Sequence, residues 1–374
     1  MKKRIYLTLA IQASSGYNDL TWKAIFFDTL VEMGHDVVLY TYDQAATIDN
    51  KKSKNIADIS SRIYSNFVEE HKKSRFDLFL GYYHALQVTP ELFIKVKEHT
   101  LCVNYTTNFH QIDTYAPLLK VADLSIYASI EAKSYFDENN YTSYYMPFAG
   151  LKKNVSFDSN KNGMISFIGT SYGPRAYYLW RCLQNNLPIQ IYGFNWLNNH
   201  KTKATLRTLI LEKDILFNNP LMIDTAYKCL NDVILKEINS KYSSKIFSPL
   251  TDEEYVKLLT SSSIVLNFPE SRYGHDFNNP NVLIGANLRD FEVPTTGSFL
   301  LTQDNKEINN FFEVGTEIET FGNEWELVDK LKFYINKPEL ILKIALAGNK
   351  RILKEHLWQH RFECLFKHLD QIFL

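Results

Sequence analysis

Short apolar runs alternate with longer amphipathic segments along the whole chain. In the first half, Ile5 to Ile11 is an apolar run interrupted only by Thr8, the mark of a buried strand. Leu20 to Met33 then sets Trp22, Ile25, Phe26, Leu30 and Met33 at helical spacing, with Gly34 as its cap. Strands are predicted at Val37 to Tyr40, Asp77 to Leu80, Leu101 to Tyr105, Leu124 to Tyr127 and Tyr144 to Phe148. Helices are predicted at Ile56 to His71, Pro90 to Glu98, Tyr115 to Lys120 and Ile130 to Glu138. Such alternation implies a parallel sheet covered on both faces.

The polar stretch "GLKKNVSFDSNKNG", from Gly150 to Gly163, reads as a linker, after which the alternation starts again. Strands are predicted at Met164 to Ile168, Ile189 to Tyr192, Ile264 to Phe268 and Glu317 to Phe321. Thr251 to Glu254 is a capping box opening a helix to Leu259. The polar segment Asn195 to Lys245 exceeds a simple crossover and reads as a helical insert. Further helices are predicted near Ile308 to Phe312 and over Glu324 to Ile335, followed by a long basic and aromatic helical stretch from Pro338 to Leu374. The reading is an α/β chain of two Rossmann-like domains, 1–150 and 163–349, facing a cleft, with residues 350–374 as a closing helix.

Leu288 to Gly297 stands out as a short helix that ends on a glycine and runs into the apolar strand Phe299 to Leu301. Arg289 and Glu292 fall on one face of it, three residues apart. A guanidinium so placed can meet phosphate oxygens in bidentate fashion, and a carboxylate can accept hydrogen bonds from ribose or sugar hydroxyls. The same spacing also serves a surface ion pair. "FIGTSYGPR" carries a strand through Gly169 and Thr170 into a helix opened near Pro174, an arrangement whose amides and helix dipole suit a diphosphate, with Arg175 adding charge. Gly193 and Asn267, at the ends of two further strands, complete the candidate donor-binding set.

The runs "LRDFEVPTTGSFLLTQ" and "GTEIETFGNEWELVDKLKFYINKPE" resemble the C-terminal part of the CgeB-like (spore maturation protein) glycosyltransferases, with Arg289, Phe291, Glu292, Gly297, Thr302, Glu326 and Leu327 matching the family pattern. "FIGTSYGPR", "FDLFLGYYHALQVTPELF" and "CVNYTTNFHQIDTY" resemble other parts of the same family. The resemblance implies the GT-B architecture, a last helix crossing back to the first domain, and sugar transfer from a nucleotide-diphosphate sugar to an acceptor hydroxyl. The diphosphate is then neutralised by side chains and helix N-termini without a metal, and no cofactor is expected. Position 284, which carries the first Glu of a retaining Glu-x7-Glu motif in many related enzymes, is Ile284 here, so the stereochemistry stays open. A hydrolysing nucleotide-sugar epimerase, or a non-catalytic sugar- or nucleotide-binding protein, has the same fold.

Length, charge and cysteines narrow the class further. The 374 residues suffice for two cores, and Lys+Arg at 41 against Asp+Glu at 42 gives no global field to attract nucleic acid. The apolar start is too short for a signal peptide, and no run is long enough to span a bilayer, so a cytoplasmic protein, peripheral at most to the inner face of the membrane, is expected. Four scattered cysteines suggest reduced thiols. "QASSGYND" lacks the GxGxxG spacing of a dinucleotide site. For the base that deprotonates the acceptor, the candidates are His84, His110 and Asp19, with Asp113, all in turns after strands of the first half. The loop Pro269 to Asn287 brings Arg272, Tyr273, His275 and Asp276 toward the donor residues. The partners expected are a nucleotide sugar and a saccharide, glycoprotein, lipid-linked or modified-nucleotide acceptor.

Overall fold

The computed structural model describes residues 2–10, 21–42, 53–83, 87–107, 112–152, 161–197, 223–269 and 285–373. The chain forms two units, one of Met1–Leu151 with Leu357–Leu374 and the other of Lys152–His356.

The sheet of the first unit contains β1 (Arg4–Ala10), β2 (Asp36–Tyr42), β3 (Leu78–Gly81), β4 (Leu101–Thr106), β5 (Leu124–Tyr127) and β6 (Ser143–Tyr145), in the order β2-β1-β3-β4-β5-β6. Every pairing in it is parallel. Residues 5–9 and 78–81 are buried without interruption, as a strand covered on both faces must be. The helix over residues 21–32 contains a π-helical turn at Ala24–Asp28 and stops at Gly34, whose φ of 87° suits a residue without a Cβ.

The predicted C-terminal helical stretch is two helices, Pro338–Glu355 and Trp358–Phe373, separated at His356 and Leu357. Leu357 forms a parallel bridge with Gly150, and Arg361 donates to the carbonyls of Pro147 and Phe148 at 3.2 and 3.3 Å. Trp358 and Phe362 pack against Phe26. The last helix is therefore part of the first unit's core.

In the second unit the strands are β7 (Ile165–Ile168), β8 (Ile189–Tyr192), β9 (Ile246–Phe247), β10 (Ile264–Asn267), β11 (Leu300–Gln303) and β12 (Glu319–Phe321), in the order β12-β11-β10-β7-β8-β9. Counted from β7 this is the Rossmann order, and the direction of winding reverses between β7 and β10. β9 was not foreseen, because two residues carry no periodicity. Nor is the segment before it wholly an insert. The helix Ile223–Lys241 buries Ile234, Leu235 and Ile238 against the helix Arg175–Gln184 and so serves as the crossover from β8 to β9. Residues 198–222 lie outside the described residues.

Gly348, inside the helix Pro338–Glu355, tests this packing. A Cβ there would lie 2.2 Å from the Glu317 carbonyl oxygen, a backbone atom that cannot swing away. Alanine favours a helix over glycine by about 1 kcal/mol, whereas overpacking of this kind costs about 1–3 kcal/mol. We expect Gly348→Ala to lower the urea midpoint with an unchanged slope; an equal or higher midpoint contradicts the close approach.

Candidate functional site

The helix Leu288–Thr295 is held at both ends. At its start Asn287 and Asp290 form a reciprocal capping box: Asn287 Oδ1 accepts from the Arg289 amide at 2.9 Å, and Asp290 Oδ2 accepts from the Asn287 amide at 2.9 Å. The other oxygen of Asp290 accepts from Asn267 Nδ2 and from the Thr302 hydroxyl, each at 2.6 Å. Since Asn267 ends β10 and Thr302 lies in β11, one carboxylate fixes the helix start to the carboxyl ends of two strands. At the far end Asn349 Nδ2 donates to the carbonyls of Pro294 and Thr295, both at 2.9 Å, closing groups that the end of a helix leaves open. Pro294 itself sits inside the last turn, and Gly297 follows with a φ of 70°.

Phe291 and Val293 are fully buried. On the face that carries Arg289 and Glu292, Glu292 Oε2 accepts the Tyr255 hydroxyl at 2.7 Å and lies 3.5 Å from Arg289 Nε. The Arg289 guanidinium stands 4.9 Å from the centre of the Tyr255 ring. Glu292 is only 6% exposed and the Arg289 side chain 18%, so this is not an ion pair dissolved in water. An ion pair held this far from solvent keeps its geometry and is weakly screened by salt.

The turn after β7 stands at the point where the winding reverses. Arg175 is 7% exposed and donates from one terminal nitrogen to the Thr170 carbonyl and from the other to the Phe268 carbonyl, both at 3.1 Å. It thereby braces the turn after β7 against the end of β10. Its guanidinium stacks on Tyr172 at 3.7 Å. Burial pushes its pKa down to about 10; Tyr172 opposes the shift, and the Arg289 charge adds to it. The Arg289 charge is thus felt at Arg175, which remains cationic at neutral pH.

Several expected donors have other partners. The Gly169 amide donates to the Tyr192 carbonyl at 2.8 Å, and the Gly169 carbonyl accepts from Trp196 Nε1 at 2.7 Å, so that amide is not available to a phosphate as the sequence suggested. Gly193 owes its lack of a side chain to the neighbouring turn: a Cβ there would lie 2.3 Å from the Gly169 oxygen. Asn267 turns its amide nitrogen to Asp290, Asn287 and Thr302 and holds the helix start. Asp19, His84 and His110, and the loop residues Arg272, Tyr273, His275 and Asp276, lie outside the described residues, as does the side chain of Asp113. Asp290, Tyr255 and Asn349 were missed. The spacing of Asn287 and Asp290 as cap and third helical residue was the one legible signal among them.

Among the described residues no three His, Cys, Asp or Glu side chains are grouped as a metal site requires, and no helix is long and apolar enough to cross a membrane.

Residues 235–367, which include this helix and its supports, match the family model described as "Glycosyl transferase-like". No curated protein sequence matches the chain significantly. Among solved structures, a sucrose-phosphate synthase from Thermosynechococcus elongatus aligns over 100% of this chain and 99% of its own at a TM-score of 0.64 and 11% identity. HepE of Anabaena, solved with UDP and glucose, aligns over 99% and 100% at 0.57 and 12%. A putative UDP-N-acetylglucosamine 2-epimerase from Listeria monocytogenes aligns over 99% and 98% at 0.53 and 12%. The fold is therefore the two-domain α/β architecture of GT-B glycosyltransferases.

Asp290 gives the site a pH signature. Burial raises its pKa from 3.8 to about 6, against the hydrogen bonds from Thr302, Asn287 and Asn267, while Glu307 adds to the rise. Between those values the folded chain keeps a proton that the unfolded chain has released, so this carboxyl's contribution to stability is present at low pH and lost as pH rises toward 6. We expect a carboxyl-carbon NMR titration of Asp290 with a midpoint near 6, and a fall in unfolding free energy over that range that Asp290→Asn no longer shows. An ordinary midpoint near 4 contradicts the burial.

Proposed function

We propose that the protein is a glycosyltransferase of the CgeB-like kind that moves a sugar from a nucleotide-diphosphate sugar to an acceptor hydroxyl. The observation that carries this reading is the Arg289–Glu292 pair, fixed with the Arg175 guanidinium near it at the reversal point of a Rossmann-ordered sheet. Ligands of such sheets bind outside the carboxyl ends of the strands at that point. The match to a glycosyl transferase-like model over the same residues supports it, as does the fold shared with HepE.

In this reading the Arg289 guanidinium bonds the diphosphate oxygens, and its attraction grows as the bond to the sugar breaks and charge develops on the leaving diphosphate. Arg175, already bonded to two carbonyls, adds fixed positive potential and holds the turn that presents Thr170. Glu292, held by the Tyr255 hydroxyl at one oxygen, accepts hydrogen bonds from ribose or sugar hydroxyls. Asn267 shapes the site through its side-chain amide, and Gly169 and Gly193 shape it through the backbone. These cations make the transfer metal-independent, and no cofactor takes part. A base on the first unit, chosen from His84, His110 and Asp19, takes the acceptor proton. The protein acts in the cytoplasm on a saccharide, glycoprotein, lipid-linked or modified-nucleotide acceptor.

The likeness to a putative epimerase supplies the rival reading, in which UDP-N-acetylglucosamine alone is turned over with no acceptor. Calorimetric titration with UDP, GDP, dTDP and their sugars separates the cases. We expect one nucleotide class to bind, and Arg289→Ala to weaken it by roughly 10- to 100-fold, the value of about 1.5–3 kcal/mol for a charge-assisted hydrogen bond. Glu292→Gln is expected to weaken the nucleotide sugar by about tenfold with Tyr255 still in contact. Retention of full nucleotide affinity in both variants overturns the assignment. Release of free sugar and nucleotide without acceptor favours the epimerase. Transfer that stops with EDTA and returns with a divalent ion refutes metal independence.

A further inference from the structure

The first unit has its own reversal point, between β1 and β3, and the chain that leaves its strands there carries a cluster of rings. Tyr82 directly follows β3 and Thr107 directly follows β4; the Tyr82 hydroxyl lies 3.0 Å from Thr107 Oγ1. Trp22, from the helix over residues 21–32, stacks obliquely on Tyr82 with centroids 4.8 Å apart at 46°. Phe148 lies 6.5 Å from Trp22 at 44°.

These three rings are half-buried, whereas Phe26 and Tyr105, which pack against Trp22 and Tyr82, and Trp358 and Phe362, which pack beneath Phe26, are fully buried. The lower set already closes the core. Trp22, Tyr82 and Phe148 hold part of their surface in water at the edge where a parallel sheet takes its ligand.

We propose that Trp22, Tyr82 and Phe148 form a stacking platform for a pyranose ring, so that the acceptor of the transfer is a saccharide. A pyranose presents a C–H face bordered by hydroxyls. The rings remove that face from water, and the paired hydroxyls of Tyr82 and Thr107 meet the hydroxyl border, since each can donate and accept. A bare phosphodiester has no flat apolar face and gains nothing from such a platform, and a peptide gains from it only through a proline or aromatic side chain. The proposal rests on the glycosyl-transfer reading for its purpose, but its site lies wholly on the first unit and is read without nucleotide.

The test labels the five tryptophans of the chain with 5-fluorotryptophan and follows the fluorine resonances of the full-length protein, the Trp22 signal being assigned through Trp22→Phe. Methyl β-D-glucopyranoside and methyl β-D-galactopyranoside are titrated separately from a threonine-containing peptide and glycerol 3-phosphate. Trp325, 64% exposed on the second unit, reports stacking on any bare indole. We expect a pyranoside to move the Trp22 resonance in a saturable way and to leave Trp325 in place. Trp22→Leu, confirmed as folded by its circular dichroism, is expected to weaken that pyranoside by about threefold to tenfold, read by saturation transfer to the sugar. Three results overturn the proposal: an unmoved Trp22 signal at millimolar pyranoside, equal movement of Trp22 and Trp325, or a response to the peptide or glycerol phosphate alone. Loss of nucleotide affinity in Arg289→Ala is measured separately and speaks only to the donor site.

Discussion

A single buried carboxylate sets the geometry of the second unit's edge. Asp290 is 0% exposed, and taking an ionised carboxylate out of water costs several kcal/mol. It is tolerated because three donors converge on it: Asn267 at the end of β10, the Thr302 hydroxyl of β11 and the Asn287 amide. Charge-assisted hydrogen bonds contribute about 1.5–3 kcal/mol each, so the set offsets part of the desolvation, and losing any one of them leaves more of it uncompensated. The strand ends and the helix start must therefore keep one relative position. Arg289, just before it, and Glu292, two residues after it, inherit that position from the helix.

The two arginines are held in different ways. Arg175 has both terminal nitrogens on backbone carbonyls, so it braces two turns and contributes charge from a fixed place. Arg289 rests on the Tyr255 ring and the Glu292 carboxylate, and is the more exposed of the two. The Arg289 charge disfavours the cationic form of Arg175, though less than its burial does. Preorganised positive charge that needs no rearrangement when negative charge develops is the most effective form of electrostatic catalysis.

Much of this was legible in the chain, and the exceptions have physical causes. The strands were readable because residues buried on both faces must be apolar, and the pairing of Arg289 with Glu292 because helical spacing is local. The role of Asp290 was not, since its partners Asn267 and Thr302 come from other strands and a lone Asp between Arg and Phe looks like surface. The glycines misled for a related reason. Gly169 and Gly193 suggested a backbone approaching a ligand, but a Cβ at Gly193 would meet the Gly169 oxygen, and one at Gly169 would crowd the Phe167 ring and the Arg175 guanidinium. The break at His356 and Leu357 carries neither proline nor glycine; it exists because Leu357 bridges to Gly150, a contact between distant parts of the chain.

The two sheets differ in winding, and the difference shows in the chemistry at their edges. In the second unit the order reverses between β7 and β10, and the turns there are joined by Arg175 and by the polar network of Asp290, which suits a charged ligand whose position must be exact to a fraction of an ångström. In the first unit it reverses between β1 and β3, and the edge beside it is aromatic, with hydroxyls as its polar atoms and no described ion pair among Trp22, Tyr82, Thr107 and Phe148. Rings hold a ligand by area and tolerate small shifts along their faces, whereas hydrogen bonds to an arginine do not. The chain thus carries a rigid polar edge on one unit and an aromatic edge on the other.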